Sequence, residues 1–163
     1  MAFDLRPLTQ DDLPRLRQFW KDNWGDEFVI AHGVIYRPES LDGFVAFDGE
    51  EWVGEITYCF SGDDCEIVSL DSLRDGQGIG TRLIEGVIEA ARAKGCRRVF
   101  LITTNDNLHA LGFYQKRGFE LVAVHRGAVN ESRKLKPGIP WIGNDGIPLR
   151  DEIELEMSLR GGA

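Results

Sequence analysis

EIVSLDSLRDGQGIGTRLIEGVIEAA, residues 66–91, is the stretch on which the fold turns. Its first part, residues 66–73, is short, apolar and in places β-branched, the pattern of a strand. Residues 75–80 (DGQGIG) place three glycines within six positions. From Thr81 onward, Leu83, Ile84, Val87, Ile88 and Ala91 recur at helical spacing. A strand, a glycine turn and a helix start in that order have a physical use. Glycine lets backbone come close to a ligand, and a helix N-terminus offers unpaired N–H groups with a partial positive charge. Phosphate oxygens fit such a place. The dinucleotide pattern G-x-G-x-x-G fails, because the last glycine would fall at Thr81 counted from Gly76 and at Leu83 counted from Gly78. The P-loop fails as well, since no Gly-Lys-Ser/Thr follows. On these residues alone, two readings stay open: a phosphate cradle, or a tight strand-to-helix turn and nothing more.

Working outward, 163 residues suit one domain with a real core, expected to span 1–163. The net charge of −8, from 19 basic and 27 acidic residues, argues against broad nucleic-acid binding, which needs a basic face. Three cysteines, Cys59, Cys65 and Cys96, leave at least one unpaired. No signal-like apolar run follows Met1, and no window approaches a membrane span, so a reduced, cytoplasmic protein is expected. No metal is expected.

Upstream, residues 3–5 read as a first strand that Arg6-Pro7 breaks. Thr9 with Asp12 marks a helix start, followed by Leu13, Leu16, Phe19 and Trp20 on one face. Residues 22–37 read as a short second helix and loop, with His32 either a turn residue beside Gly33 or part of an acceptor pocket. Residues 41–47 and 52–60 are strands joined by the hairpin signal Asp48-Gly49, and a further turn at Asp63-Asp64 leads into the central strand from Cys65. Three consecutive strands therefore form a meander ending in the glycine loop, unlike a doubly wound nucleotide fold. Downstream, Lys94-Gly95 ends the long helix, and residues 97–103 form a strand parallel to the central one, reached by a crossover helix. A helix over 108–116 ends at Arg117-Gly118, and residues 119–125 are another strand. Residues 126–150 read as a long ordered loop, with Arg133, Lys134 and Lys136 as surface residues. In residues 151–159, Ile153, Leu155, Met157 and Leu159 alternate with Glu152, Glu154, Glu156 and Ser158, a final strand with an acidic outer face.

Two of these stretches resemble the GCN5-related N-acetyltransferases. Gly78-Ile79-Gly80-Thr81 with Leu83 is similar to the family's Q/R-x-x-G-x-G/A loop, although Asp75 stands where Gln or Arg is usual and an arginine, Arg74, comes one place early. Asn107-x-x-Ala110-x-x-Phe113-Tyr114-x-x-x-Gly118-Phe119 matches the second pattern at every position. The resemblance covers roughly residues 53–124. It implies an α/β (α+β) fold with a mixed central sheet of about six to seven strands and about four helices. It implies acetyl-CoA as co-substrate, a small-molecule or peptide amine as acceptor, and a homodimer as a common state. Gly76, Gln77, Gly78, Ile79, Gly80 and Thr81 would take the pyrophosphate. Leu70, Asp71 and Ser72 would form a bulged, splayed edge for the pantetheine arm, with the Leu70 backbone nearest the thioester carbonyl and Asn107 on the arm.

The chemistry then needs an acid and a base. Tyr114 is the acid by that match, since a phenol with a pKa near 10 can protonate a departing thiolate of similar basicity. Glu66 is the candidate base, placed by strand parity on the same face as Asp64 and Leu70. Glu55 and His32 compete for that role. The alternative to an enzyme is a non-catalytic acyl-CoA-binding module on the same fold.

Overall fold

A computed structural model describes residues 3–160. Nine strands and four helices follow in chain order: β1 (Asp4–Pro7), α1 (Leu13–Trp24), β2 (Val29–Ala31), β3 (Val34–Tyr36), β4 (Asp42–Asp48), β5 (Glu51–Ser61), β6 (Asp64–Ser72), α2 (Ile79–Lys94), β7 (Arg98–Thr104), α3 (Leu108–Lys116), β8 (Glu120–His125), α4 (Ala128–Leu135) and β9 (Glu152–Ser158). Seven strands make one sheet in the order β1-β4-β5-β6-β7-β9-β8, and β2 and β3 make a separate hairpin. Among the described strands only β6 and β7 run parallel; every other pairing is antiparallel. The mixed sheet expected from the sequence is therefore present. No described helix is long and apolar enough to cross a membrane.

The helix α2 is the parallel crossover, and its apolar stripe of Ile79, Leu83, Ile84, Val87 and Ala91 is buried. It packs in one cluster with Ile56, Ile67, Val99, Leu101 and Leu155 from the sheet. The alternate positions of β5 and β6 carry Glu55, Thr57, Glu66 and Ser69, all buried, on the opposite face. Trp20 of α1 and the β2–β3 hairpin cover that face. This polar underside is where the fold departs from a simple apolar sandwich.

Strand β1 runs through Arg6 and Pro7, with Pro7 opposite Phe44 on the outer strand of the sheet, where a missing N–H interrupts no ladder. The Thr9–Asp12 start holds: the Thr9 N–H donates to Asp12 Oδ2 at 2.8 Å across a single 3₁₀ turn. The Arg6 guanidinium also grips Asp12 at 2.7 and 2.8 Å and holds its carboxyl down at about 2. Residues 22–37 contain a hairpin rather than a second helix. Its two-residue turn is His32-Gly33, both at positive φ (40° and 77°), the geometry that such short turns require.

The 126–150 segment is more than a loop. It holds α4 and a 3₁₀ turn at Asn144–Gly146. Arg133 is buried, against expectation: its Nη2 donates to the carbonyls of Pro140 and Leu149 at 2.6 Å each, and its guanidinium lies 4.0 Å above the Trp141 ring. Lys134 is on the surface as read, and Lys136 is half-buried. The face of β9 read as acidic and outward is largely covered. Glu152 is buried and accepts the His32 backbone N–H at 3.1 Å, while Glu154 and Glu156 accept from Arg98 at 2.7 and 2.9 Å.

The far end of this segment is pinned to the β7–α3 turn. Buried Asp106 accepts from Thr104 Oγ1 at 2.5 Å and from the Asn144 N–H at 2.8 Å. A Cβ on Gly143 would overlap the Asp106 carboxylate. Gly143→Ala is therefore expected to lower stability by about 1–3 kcal/mol, since the carboxylate must leave its partners or the turn must shift. An unchanged urea midpoint would show that the pin carries no strain.

Candidate active site

The parallel ladder between β6 and β7 stops at Ile67 opposite Leu101. Beyond it β6 stays with β5 as far as Ser72, and β7 stays with β9 as far as Thr104. The two strands therefore diverge, leaving backbone groups of each unpaired toward the other. A cleft of about 850 Å³ opens between them. A bulge starts the divergence: Thr57 pairs with Ser69 but Tyr58 with Ile67, so Val68 is an extra residue in β6. The bulge also resets parity. Ile67 and Leu70 both pack on the α2 side, and Glu66 does not share the face of Leu70 as strand counting expected.

The cleft runs from Leu70, Asp71 and Ser72 past Gly76, Gly78, Ile79, Gly80 and Thr81 to Asn107 and Tyr114, all of which line it. Gln77 and Glu66 are not among its lining residues. Gly76 and Gly78 take positive φ of 73° and 75°, which bends the chain from strand into helix. Gly78 is the N-cap of α2 and supplies no side-chain cap, so the first-turn N–H groups are left to a ligand. A Cβ on Gly80 would stand 2.9 Å from Phe113 Cζ. The glycine loop and the α3 motif thus meet, ring against backbone. Asn107 caps α3, its Oδ1 accepting the Ala110 N–H at 3.1 Å.

Arg74, one place early in the loop, is held elsewhere. Its guanidinium bonds Asp48 at 2.7 Å and also Glu51, across the β4–β5 hairpin. The cation that borders the loop is Arg117, read from sequence only as a helix end. Its Nε donates to Thr81 Oγ1 at 2.9 Å and its Nη1 to the Phe113 carbonyl at 2.8 Å, and it lies 3.5 Å above the Phe113 ring. The available signal is its place three residues after Tyr114, at the C-cap of α3.

Tyr114 is 7% exposed, and its hydroxyl is held as a phenol well above the ordinary value, first by burial and then by the nearby charges of Asp71 and Glu55. Those two carboxyls face each other across β5 and β6. Ser69 Oγ donates to Glu55 Oε2 at 3.1 Å, whereas Glu55 Oε1 and Asp71 Oδ2 are buried without another partner. The Trp20 Nε1 beside them is likewise buried without a partner, and a proton shared between the two carboxyls would satisfy both. Burial and the adjacent Asp71 push Glu55 well above the carboxylate range, and burial raises Asp71 too.

Glu66 lies at the other end of this polar face, sealed beneath the hairpin. Tyr36 Oη donates to its Oε1 at 2.6 Å, and His32 Nε2 is 2.9 Å from its Oε2. The His32 side chain is 36% exposed and that of Glu66 only 3%. His32 forms the turn, as one of its two sequence readings has it, and its ring is the outward member of a Glu66–Tyr36–His32 cluster.

A model of the acetyltransferase (GNAT) family matches residues 5–119. The chain belongs to this family. Among its relatives, the uncharacterized protein YxbD of Bacillus subtilis is 45% identical over 155 residues, covering 94% of this chain and 98% of the relative. YdhI of the same organism, also uncharacterized, is 49% identical over 139 residues, 85% and 87% of the two chains. A GNAT acetyltransferase from Elizabethkingia anophelis, solved with acetyl-CoA bound, superposes with a TM-score of 0.70 at 24% identity over 96% of this chain and 98% of that one. The GNAT fold expected from the two motifs is thus the fold observed; the strands diverge as the resemblance implied, but the bulge lies at Val68, ahead of the 70–72 edge where it was expected.

Proposed function

We propose that this GNAT chain moves an acetyl group from acetyl-CoA to a primary amine of a small molecule or peptide, by direct attack on the thioester. The observation that carries the reading is one continuous cleft. It joins an uncapped helix N-terminus, two unpaired strand edges and a buried tyrosine. These residues suit the cofactor, with N–H donors where phosphates need them and free backbone groups where an amide-bearing arm can add as a strand.

Acetyl-CoA supplies an activated acetyl thioester; the remaining work falls to the chain. Gly76, Gln77, Gly78, Ile79, Gly80 and Thr81 hold the pyrophosphate. Leu70, Asp71 and Ser72 position the pantetheine arm with Asn107, and the Leu70 backbone N–H stabilises charge on the carbonyl oxygen. Tyr114 gives its proton to the departing sulfur. Glu66 is the base. Because its carboxylate is covered, it draws the amine proton through His32, whose ring it orients.

Calorimetric titration of acetyl-CoA, followed by free-thiol release with a panel of primary amines, tests this reading. Micromolar binding with amine-dependent thiol release is expected. Binding without release by any amine would favour the acyl-CoA-binding module instead, and no binding would remove both readings.

A further inference from the structure

We infer that Arg117 is a pyrophosphate-binding residue that supplies the positive charge missing from the first position of the glycine loop. The inference rests on the acetyl-CoA reading of the cleft. The loop of this chain carries an acid, Asp75, where the family pattern has Gln or Arg, and Asp75 lines the cleft. The neighbouring Arg74 is neutralised by Asp48 and Glu51. Among the described lining residues the remaining Lys or Arg is Arg117, and no described carboxylate pairs with it.

Its geometry is that of a built binding group. Both of its protein partners are neutral acceptors, Thr81 Oγ1 and the Phe113 carbonyl, so its full charge is uncompensated. These bonds use one donor on Nε and one on Nη1, leaving the second on Nη1 and both on Nη2. The stack on Phe113 at 3.5 Å fixes the plane of the fork. Thr81 lies in the first turn of α2, beside the uncapped N–H groups. A planar fork held there meets phosphate oxygens in the bidentate manner arginine favours. The same Phe113 ring packs on Gly80, so the loop that shapes the subsite and the cation that charges it are set by one side chain.

The test is calorimetry at two salt concentrations with wild type, Arg117→Met and Arg117→Lys, using acetyl-CoA and acetyl-dephospho-CoA, which lacks the 3′-phosphate. Arg117→Met keeps an unbranched apolar stem and removes the charged guanidinium that stacks on Phe113. It is expected to weaken both ligands about tenfold or more, to flatten the salt dependence of affinity, and to be partly rescued in Arg117→Lys. Wild-type affinity in Arg117→Met would overturn the inference. So would a loss that leaves the salt dependence unchanged and that Lys does not rescue, which would mark a structural role. A loss seen with acetyl-CoA alone would move the contact to the 3′-phosphate and overturn the pyrophosphate placement. A wild type that binds neither ligand removes the proposed cofactor itself, which separates that failure from a failure of Arg117.

Discussion

Tyr114→Phe is expected to lower turnover about a hundredfold or more, while affinity for acetyl-CoA stays within about twofold of wild type. General-acid transfer from a positioned side chain is worth about 10²–10⁴, and the substitution removes only the transferable proton. No hydrogen bond from a described group tunes this hydroxyl, and the ring stays packed against Phe113 and Phe119. Folding stability should therefore change little, so lost turnover will not be lost protein. A strongly raised phenol is at first sight a poor acid. The same desolvation, however, raises the basicity of a thiolate released beside it, as burial does for Cys65 in this chain, pushed up to about 12. The acid and its acceptor thus move together. Steady-state kinetics with an amine found by thiol release, beside calorimetry of the cofactor, checks both halves. Unchanged turnover in Tyr114→Phe would remove Tyr114 as the acid.

The parts legible in the sequence are those where one local pattern meets one physical need. The glycine turn before Leu83, Ile84 and Val87 and the alternation in β9 each imply their element without help. The crossover that makes β6 and β7 parallel follows from a helix between two strands. What was not legible depended on tertiary partners. The β2–β3 hairpin is built from three-residue strands, too short for alternation to speak, although His32-Gly33 between two apolar runs was a turn signal. Helix α4 buries Val129, Ser132 and Arg133. An arginine that faces inward because Trp141 and two carbonyls receive it reads as surface to any periodicity argument. The bulge at Val68 leaves no mark in the sequence, yet it decides that Glu66 and Leu70 lie on opposite faces. Sequence alone makes Arg117 the end of a helix, because its partner Thr81 is 36 positions away.

The Glu55–Asp71 pair yields the second large effect, and its sign follows from burial. Both carboxyls are raised, from ordinary values of 4.5 and 3.8. The folded state therefore holds a proton that the unfolded chain has already released above those values. The stabilisation from that proton is fully present below the unfolded pKa and is lost as pH rises toward and through the folded one, at up to about 1.4 kcal/mol per pH unit. Asp12, held down at about 2 by Arg6, acts in the opposite sense and at the acid end, so it does not mask the effect near neutrality. Glu55→Gln places a permanent N–H where the shared proton sits and keeps an oxygen to accept from Ser69. Urea unfolding at pH 5, 6, 7 and 8 should show wild type losing stability along the series more steeply than the variant, which keeps only the milder loss from buried Glu152. The variant should then match or exceed wild type at pH 8. Parallel curves would mean that the two carboxyls do not share a proton. Their joint charge beside Tyr114 would then need another explanation, because two unprotonated carboxylates on that buried face would repel each other with no cation paired between them.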